Sequence, residues 1–192
     1  GMALDSEAGV TIQAWIWPTT PDRTQAQGLV TRHSNNGGFN LSIASGAVTL
    51  QIGDKQIATS AGLIAQRWHF VAGTYDAATG HATVEWRALE QGGLTEIAEG
   101  SLAGGSIVSD RPLLIAADGL LDVGRPAPTG CFNGKIEHPR VFDRALKPDE
   151  LDALNANADP TGIDGLVGAW NFSASPPHTA ALADSGPNDL HG

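Results

Sequence analysis

The chain has 192 residues, 41% of them apolar, with 24 Gly, 11 Pro and a single Cys. Its 21 acidic and 11 basic side chains leave a net charge of −10. These totals suit one globular domain rich in turns, and they exclude the clustered Lys and Arg that nucleic acid or an anionic membrane surface would require.

The acidic balance makes a cation a better electrostatic partner than an anion, but a solvated acidic surface is the more ordinary explanation. Cys131 stands alone, so no intramolecular disulfide forms, and its place beside Phe132 in a β-like run predicts a small buried core residue. No run of 18 apolar residues provides a membrane-spanning helix. No signal peptide opens the chain, and the leading Gly-Met reads as a cloning remnant ahead of an internal fragment. A cytoplasmic location is the expectation.

Period-2 alternation runs through the sequence. In "VTIQAWIW", Val10, Ile12, Ala14 and Ile16 share one face, and Thr11, Gln13, Trp15 and Trp17 share the other. "GLVTRHS" (28–34) is a further strand. "GFNLSIA" turns Phe39, Leu41 and Ile43 inward, and "AVTLQIGD" does the same with Val48, Leu50 and Ile52. "RWHFVAGTYD" is apolar on both faces, as expected of a strand covered on two sides. "DAATG" (76–80) closes a hairpin, with Asp76 making an Asx-type turn and Gly80 at positive φ. "HATVEWRA" then points Ala82, Val84 and Trp86 inward. "RPLLIAAD" is another strand covered on both faces, followed by "NGKIEHPRVF" (133–142) and "GLVGAWNFS" (165–173). One helix is predicted, over Pro148–Asn155. Pro148 fits its first turn, Asp149 and Glu150 sit at the positive end of its dipole, and Leu151 and Leu154 form its apolar stripe.

About a dozen short strands with one helix predict an all-β fold, a two-sheet antiparallel sandwich. Parallel βα units are excluded because the connections lack helices. "VTIQAWIWPTT", "RWHFVAGTYDAATG" and "FNGKIEHPRVFDRALKPDELDAL" resemble, in that order, the opening strand, central hairpin and closing strand-plus-helix of laminin G-like domains in the concanavalin A-like lectin/glucanase superfamily. The resemblance covers residues 8–155 and implies a jelly roll with six or seven strands per sheet. It departs at "VEWRALEQGGL", where the family has an Asp-Gly turn. The tail, "GLVGAWNFS" followed by "ADSGPNDLHG", resembles the strand that opens the family's domains, displaced here to the end. This implies a circularly permuted single domain, residues 1–192, with the last strand zipped in beside the first. Order and tail also resemble the sandwich of N,N-dimethylformamidase large subunits. That resemblance implies a non-catalytic interaction module within a larger amidohydrolase, with other domains or subunits as partners.

The residues themselves offer little catalytic chemistry. The paired carboxylates of a glycosidase are missing, since Glu85 and Glu90 would fall on opposite faces of an extended strand. The His residues lack zinc-site spacing, and His69 is expected to hold a backbone carbonyl. Trp68, Trp86 and Trp170 read as core fillers, whereas Trp15 or Trp17 could stack on a sugar or pack beneath a loop or partner. In the tail loop, Asp184, Asn188 and Asp189 offer oxygen ligands suited to calcium, and Asp118 and Asp122 could complete the site. The same loop composition equally describes an ordinary turn. A carbohydrate-binding, calcium-assisted lectin module is therefore the alternative to an assembly module.

Overall fold

The computed structural model describes residues 8–34, 37–90, 93–121, 126–173, 183–188 and 190. They form β1 (Gly9–Pro18), β2 (Gln27–Ser34), β3 (Gly37–Ala44), β4 (Ala47–Ile52), β5 (Lys55–Ala58), β6 (His69–Asp76), β7 (His81–Ala88), β8 (Thr95–Ser101), β9 (Leu114–Ile115), β10 (Gly119–Leu121), β11 (Ala127–Thr129), β12 (Gly134–Phe142), α1 (Pro148–Asn155) and β13 (Leu166–Ala169). One sheet runs β13-β12-β1-β6-β7-β8, the other runs β5-β4-β3-β2-β9, and β10 and β11 make a small separate hairpin. Every ladder is antiparallel. This is the predicted two-layer all-β sandwich with one short helix.

The alternation explains the core. Val10, Ile12, Ala14 and Ile16 of β1 meet Phe39, Leu41, Ile43, Val48, Leu50 and Ile52 of the other sheet, all essentially without solvent exposure. Ala82, Val84 and Trp86 close the same layer. The layers press together at Gly73 of β6, where a Cβ would stand 2.9 Å from Leu50 Cδ1. The β6–β7 turn forms as expected: Asp76 Oδ1 accepts the Ala78 and Thr79 N–H groups, and Gly80 has φ +72°.

A second cluster covers the outer face of the six-stranded sheet. Leu151 and Leu154 of α1, with Leu146, lie on Trp15, Phe70, Ala72 and Phe142. Strand β6 is thus buried on both faces. At the start of α1 the Arg144 guanidinium grips Glu150 through two hydrogen bonds of 2.6 and 2.9 Å, and Glu150 also accepts the Lys147 N–H at 2.8 Å. The Arg144 bonds, reinforced by the Lys147 N–H, lower the Glu150 pKa to about 2. Arg87 of β7 bonds Asp152 and so fixes the helix to the sheet.

Four expectations are corrected. The last strand pairs with β12, not with β1, because β12 and β6 already occupy both edges of β1. "RPLLIAAD" yields only the two-residue β9, half-buried rather than covered on both faces, and the sheets hold six and five strands. Cys131 is exposed, because it is the neighbouring Phe132 that turns into the core.

Replacing fully buried Leu154 by Ala is expected to lower unfolding stability by about 2–5 kcal/mol, whereas Ile97→Ala, at a side chain 52% exposed, should change it by less than about 0.5 kcal/mol. Urea melts of the two variants check this difference. Because folding depresses the Glu150 pKa from 4.5 to about 2, its contribution is present above pH 4.5 and is lost as pH falls from there. Glu150→Gln should therefore flatten part of the stability loss between pH 4.5 and 2 in acid melts, by under about 1 kcal/mol for a solvent-screened pair.

Candidate functional site

The two outer faces of the sandwich differ in chemistry. On the six-stranded sheet, beyond the edge of α1, the surface is apolar. β1 directs Trp15 and Trp17 to this side. Trp15 is 9% exposed, edge-on to Phe70 with centroids 5.6 Å apart, and covered by α1. Of the two candidate sugar-stacking rings it is the one the helix covers. Trp17 is half-buried, meets Trp68 edge-on at 5.8 Å, and carries the Lys135 ammonium 5.4 Å from its ring centre. Trp68, expected in the core, is also only half-buried. Around this pair, Ile64 is 43% and Leu89 59% exposed. Two shallow grooves of about 430 and 310 Å³ share Trp68 and Leu89 as a common wall. For this face sequence reading named Trp17 but not Trp68 or Leu89, because Trp68 precedes a strand buried on both sides, and Leu89 falls in the irregular hairpin.

The outer face of the five-stranded sheet is polar. Thr31, Asn40 and Gln51 are paired across it. Asn40 Nδ2 donates to Asp118 Oδ1 at 2.7 Å, whereas Asn40 Oδ1 is buried without a hydrogen-bond partner. His33 Nε2 lies 2.9 Å from the Gly53 carbonyl and 3.1 Å from Gln51 Nε2. A cleft of about 180 Å³ opens here between Asp118, Thr31, His33 and Arg111. Asp118 thus belongs to a hydrogen-bonded polar face, and Asp122 lies outside the described residues.

The tail loop docks on β13. Asp184 is 7% exposed; its Oδ1 accepts the Ala169 and Gly186 N–H groups, and its Oδ2 accepts the Leu190 N–H. Asn188 donates its amide to the Val167 carbonyl. This carboxylate organises a turn against the edge strand, as the turn reading expects. Asp118 is committed to the other sheet, and Asp189 lies outside the described residues. Among the described residues, no group of three His, Cys, Asp or Glu side chains comes together to hold a metal.

Three further titratable side chains that the sequence singled out are engaged structurally. Glu85 is buried and held by a two-pronged Arg87 contact at 3.0–3.2 Å. Burial raises its pKa, and the Arg87 charge opposes the rise. Glu90 lies in the turn beyond β7 and pairs with Arg67. His69 is fully buried: its Nδ1–H donates to the Arg67 carbonyl and its Nε2 accepts the Ile64 N–H. Those two backbone partners fix one neutral tautomer, and burial lowers its pKa.

A concanavalin A-like lectin/glucanases superfamily model, Laminin_G_3, matches residues 2–152. The N,N-dimethylformamidase beta subunit of Alcaligenes sp is 28% identical over 191 residues, covering 89% of this chain and 25% of that subunit. The chain therefore spans about a quarter of that relative's length. Among solved structures, a Bacteroides ovatus protein provisionally assigned to carbohydrate binding superposes with TM-score 0.63 at 17% identity, covering 93% of this chain and 49% of that one. The CBM40 of a Ruminococcus gnavus sialidase, bound to α2,3-sialyllactose, gives TM-score 0.57 at 18% identity over 77% of this chain and 82% of that one. At these identities the solved structures establish the shared fold.

If Asp184 is a turn organiser, Asp184→Ala should cost about 1–3 kcal/mol, since it strands buried N–H groups. Calorimetry of the wild-type chain should show the same melting temperature in calcium and in chelator. A calcium-dependent rise would make the loop a metal site.

Proposed function

This chain belongs to the concanavalin A-like lectin/glucanases superfamily, and on that premise we propose that it is a non-catalytic assembly module of a larger, N,N-dimethylformamidase-like amidohydrolase. The observation that carries the reading is the apolar face around Trp17, Trp68, Ile64 and Leu89, exposed where α1 ends. A leucine 59% exposed beside two half-buried tryptophans is costly to leave in water. The occupant is another part of the same enzyme. The chain matches only a quarter of the related subunit, so most of such a polypeptide lies outside it and is available to cover the face. The identity runs over 89% of this chain, which supports descent of the module as a unit. The buried, ion-paired Glu85 and the fixed neutral His69 support a scaffold rather than a reaction centre.

A second reading, carbohydrate binding, is favoured by the polar cleft at Asp118, where Thr31, His33, Ser34, Arg111 and Asp118 offer the mixed donors and acceptors a sugar uses. It sits on the opposite face of the sandwich, so one pair of variants separates the readings. Leu89→Asp is expected to leave the melting temperature of the isolated domain within a degree or two, and to dissociate or destabilise the full-length parent enzyme. Equal behaviour of wild type and variant in the parent would sink the assembly reading. Glycan-array binding abolished by Asp118→Ala but retained by Leu89→Asp would establish the second.

A further inference from the structure

Strand β12 carries one residue more than its partner. Gln13 and Trp15 of β1, one residue apart, face Arg140 and Glu137, between which both His138 and Pro139 intervene. His138 absorbs the bulge at φ +49°, a conformation uncommon for a residue with a Cβ. Bulges of this kind re-aim a side chain. Here the side chain is Arg140, which is only 3% exposed.

Among the described residues no carboxylate hydrogen-bonds to Arg140, although the Asp159 charge acts on it. Among the described residues its guanidinium makes one hydrogen bond, a long one of 3.4 Å from Nη1 to Gln13 Oε1, and it takes part in none of the ion pairs. Gln13 is itself fully buried, and its Nε2 has no partner. Burial lowers the Arg140 pKa from its ordinary value, with the Asp159 charge opposing; a guanidinium remains protonated at neutral pH all the same. A buried cation without a hydrogen-bonded anion is a costly arrangement for stability alone. It opens into a pocket of about 400 Å³, bordered also by His138, Asn157, Asp159, Trp170 and Ser185.

We propose that this pocket binds a small organic monocarboxylate, with the carboxylate seated on the Arg140 guanidinium. A planar fork of N–H donors matches a carboxylate in two parallel hydrogen bonds. A dianion such as phosphate fits poorly, because one guanidinium supplies one positive charge, Asp159 stands at the border, and the chain carries a net charge of −10. Trp170 and Pro160 provide apolar wall for a short organic tail. This pocket adjoins the Trp68 face, with which it shares His138 and Asn157, but Arg140 and Trp170 line this pocket and not that groove; it is distinct from the Asp118 cleft, and the proposal does not depend on the reading of either.

The test follows the arginine Nε–H resonances of the ¹⁵N-labelled chain during titration with sodium propionate, against sodium chloride at equal ionic strength. The Arg140 signal, assigned by its loss in Arg140→Met, should shift saturably with propionate and not with chloride, and phosphate should bind more weakly. Arg140→Met should abolish propionate-dependent shifts elsewhere in the pocket. Should that variant fail to fold, Asn157→Asp decides: it adds a negative charge at an exposed position of the pocket and should weaken propionate by about fivefold or more, while the chain stays folded with a melting temperature lowered by no more than a few degrees, since the charge also lies at the C-terminal end of α1. No saturable shift, tighter binding of phosphate, retained binding in Arg140→Met, or unchanged affinity in Asn157→Asp would each overturn the proposal.

Discussion

The structure depends on one constraint: two pleated sheets must bury their inner faces against each other along their whole length. The side chains that do this, from Ile12 and Ile16 to Leu41, Leu50 and Val84, have no measurable exposure. Their contact is close enough that β6 needs a glycine, Gly73, where Leu50 approaches. In a strand with period 2, fixing the inner residues fixes the outer ones as well. Register in the core therefore decides which residues reach the two outer surfaces, where any partner must bind.

Those surfaces are managed differently. The five-stranded sheet keeps a hydrogen-bonded polar face, in which Asn40, Gln51, His33 and Asp118 satisfy one another apart from the Asn40 oxygen. The outer face of the six-stranded sheet mixes apolar rings with buried Thr11, Gln13, Glu85 and Arg140, and α1 covers only part of it. The helix is held by apolar packing on Trp15, Phe70 and Phe142 and by the Arg87–Asp152 contact. Where it stops, Trp68 and Leu89 begin. Strand β12 links these regions. It pairs with β1 on one edge and with β13 on the other, and so joins the central sheet to the tail that Asp184 pins in place.

Much of this was legible in the sequence, because alternation is a strong signal when one face is buried. The inner residues of β1, β3, β4 and β7 could be read directly, and so could the bounds of α1, since Pro148 and the Leu151–Leu154 stripe are local features. The failures share a cause: they depend on which non-local neighbour arrives. Thr11, Gln13 and Trp15 look like a solvent face, yet all three are buried, because α1 and the segment before it fold back over them. The partner of the last strand depends on which sheet edge remains open. Cys131, expected in the core, is exposed, because the segment after Gly130 is not a regular strand and offers no period to follow. Arg140 was the least visible of all, since an arginine in an alternating run looks like an ordinary surface residue until a bulge and a neighbouring strand enclose it.

The same geometry explains why the candidate sites lie outside the core and why none resembles a hydrolytic centre. A catalytic acid or base needs a perturbed proton affinity together with access to a reacting atom. Glu85 has the first without the second: burial raises its pKa, but Arg87 occupies both its oxygens and leaves it 3% exposed. His69 is likewise perturbed and sealed, with both ring nitrogens committed to backbone. The perturbed Glu85 and His69 are thus committed to structure, and the candidate sites left on the molecule are an apolar edge, a polar cleft and the pocket beside buried Arg140.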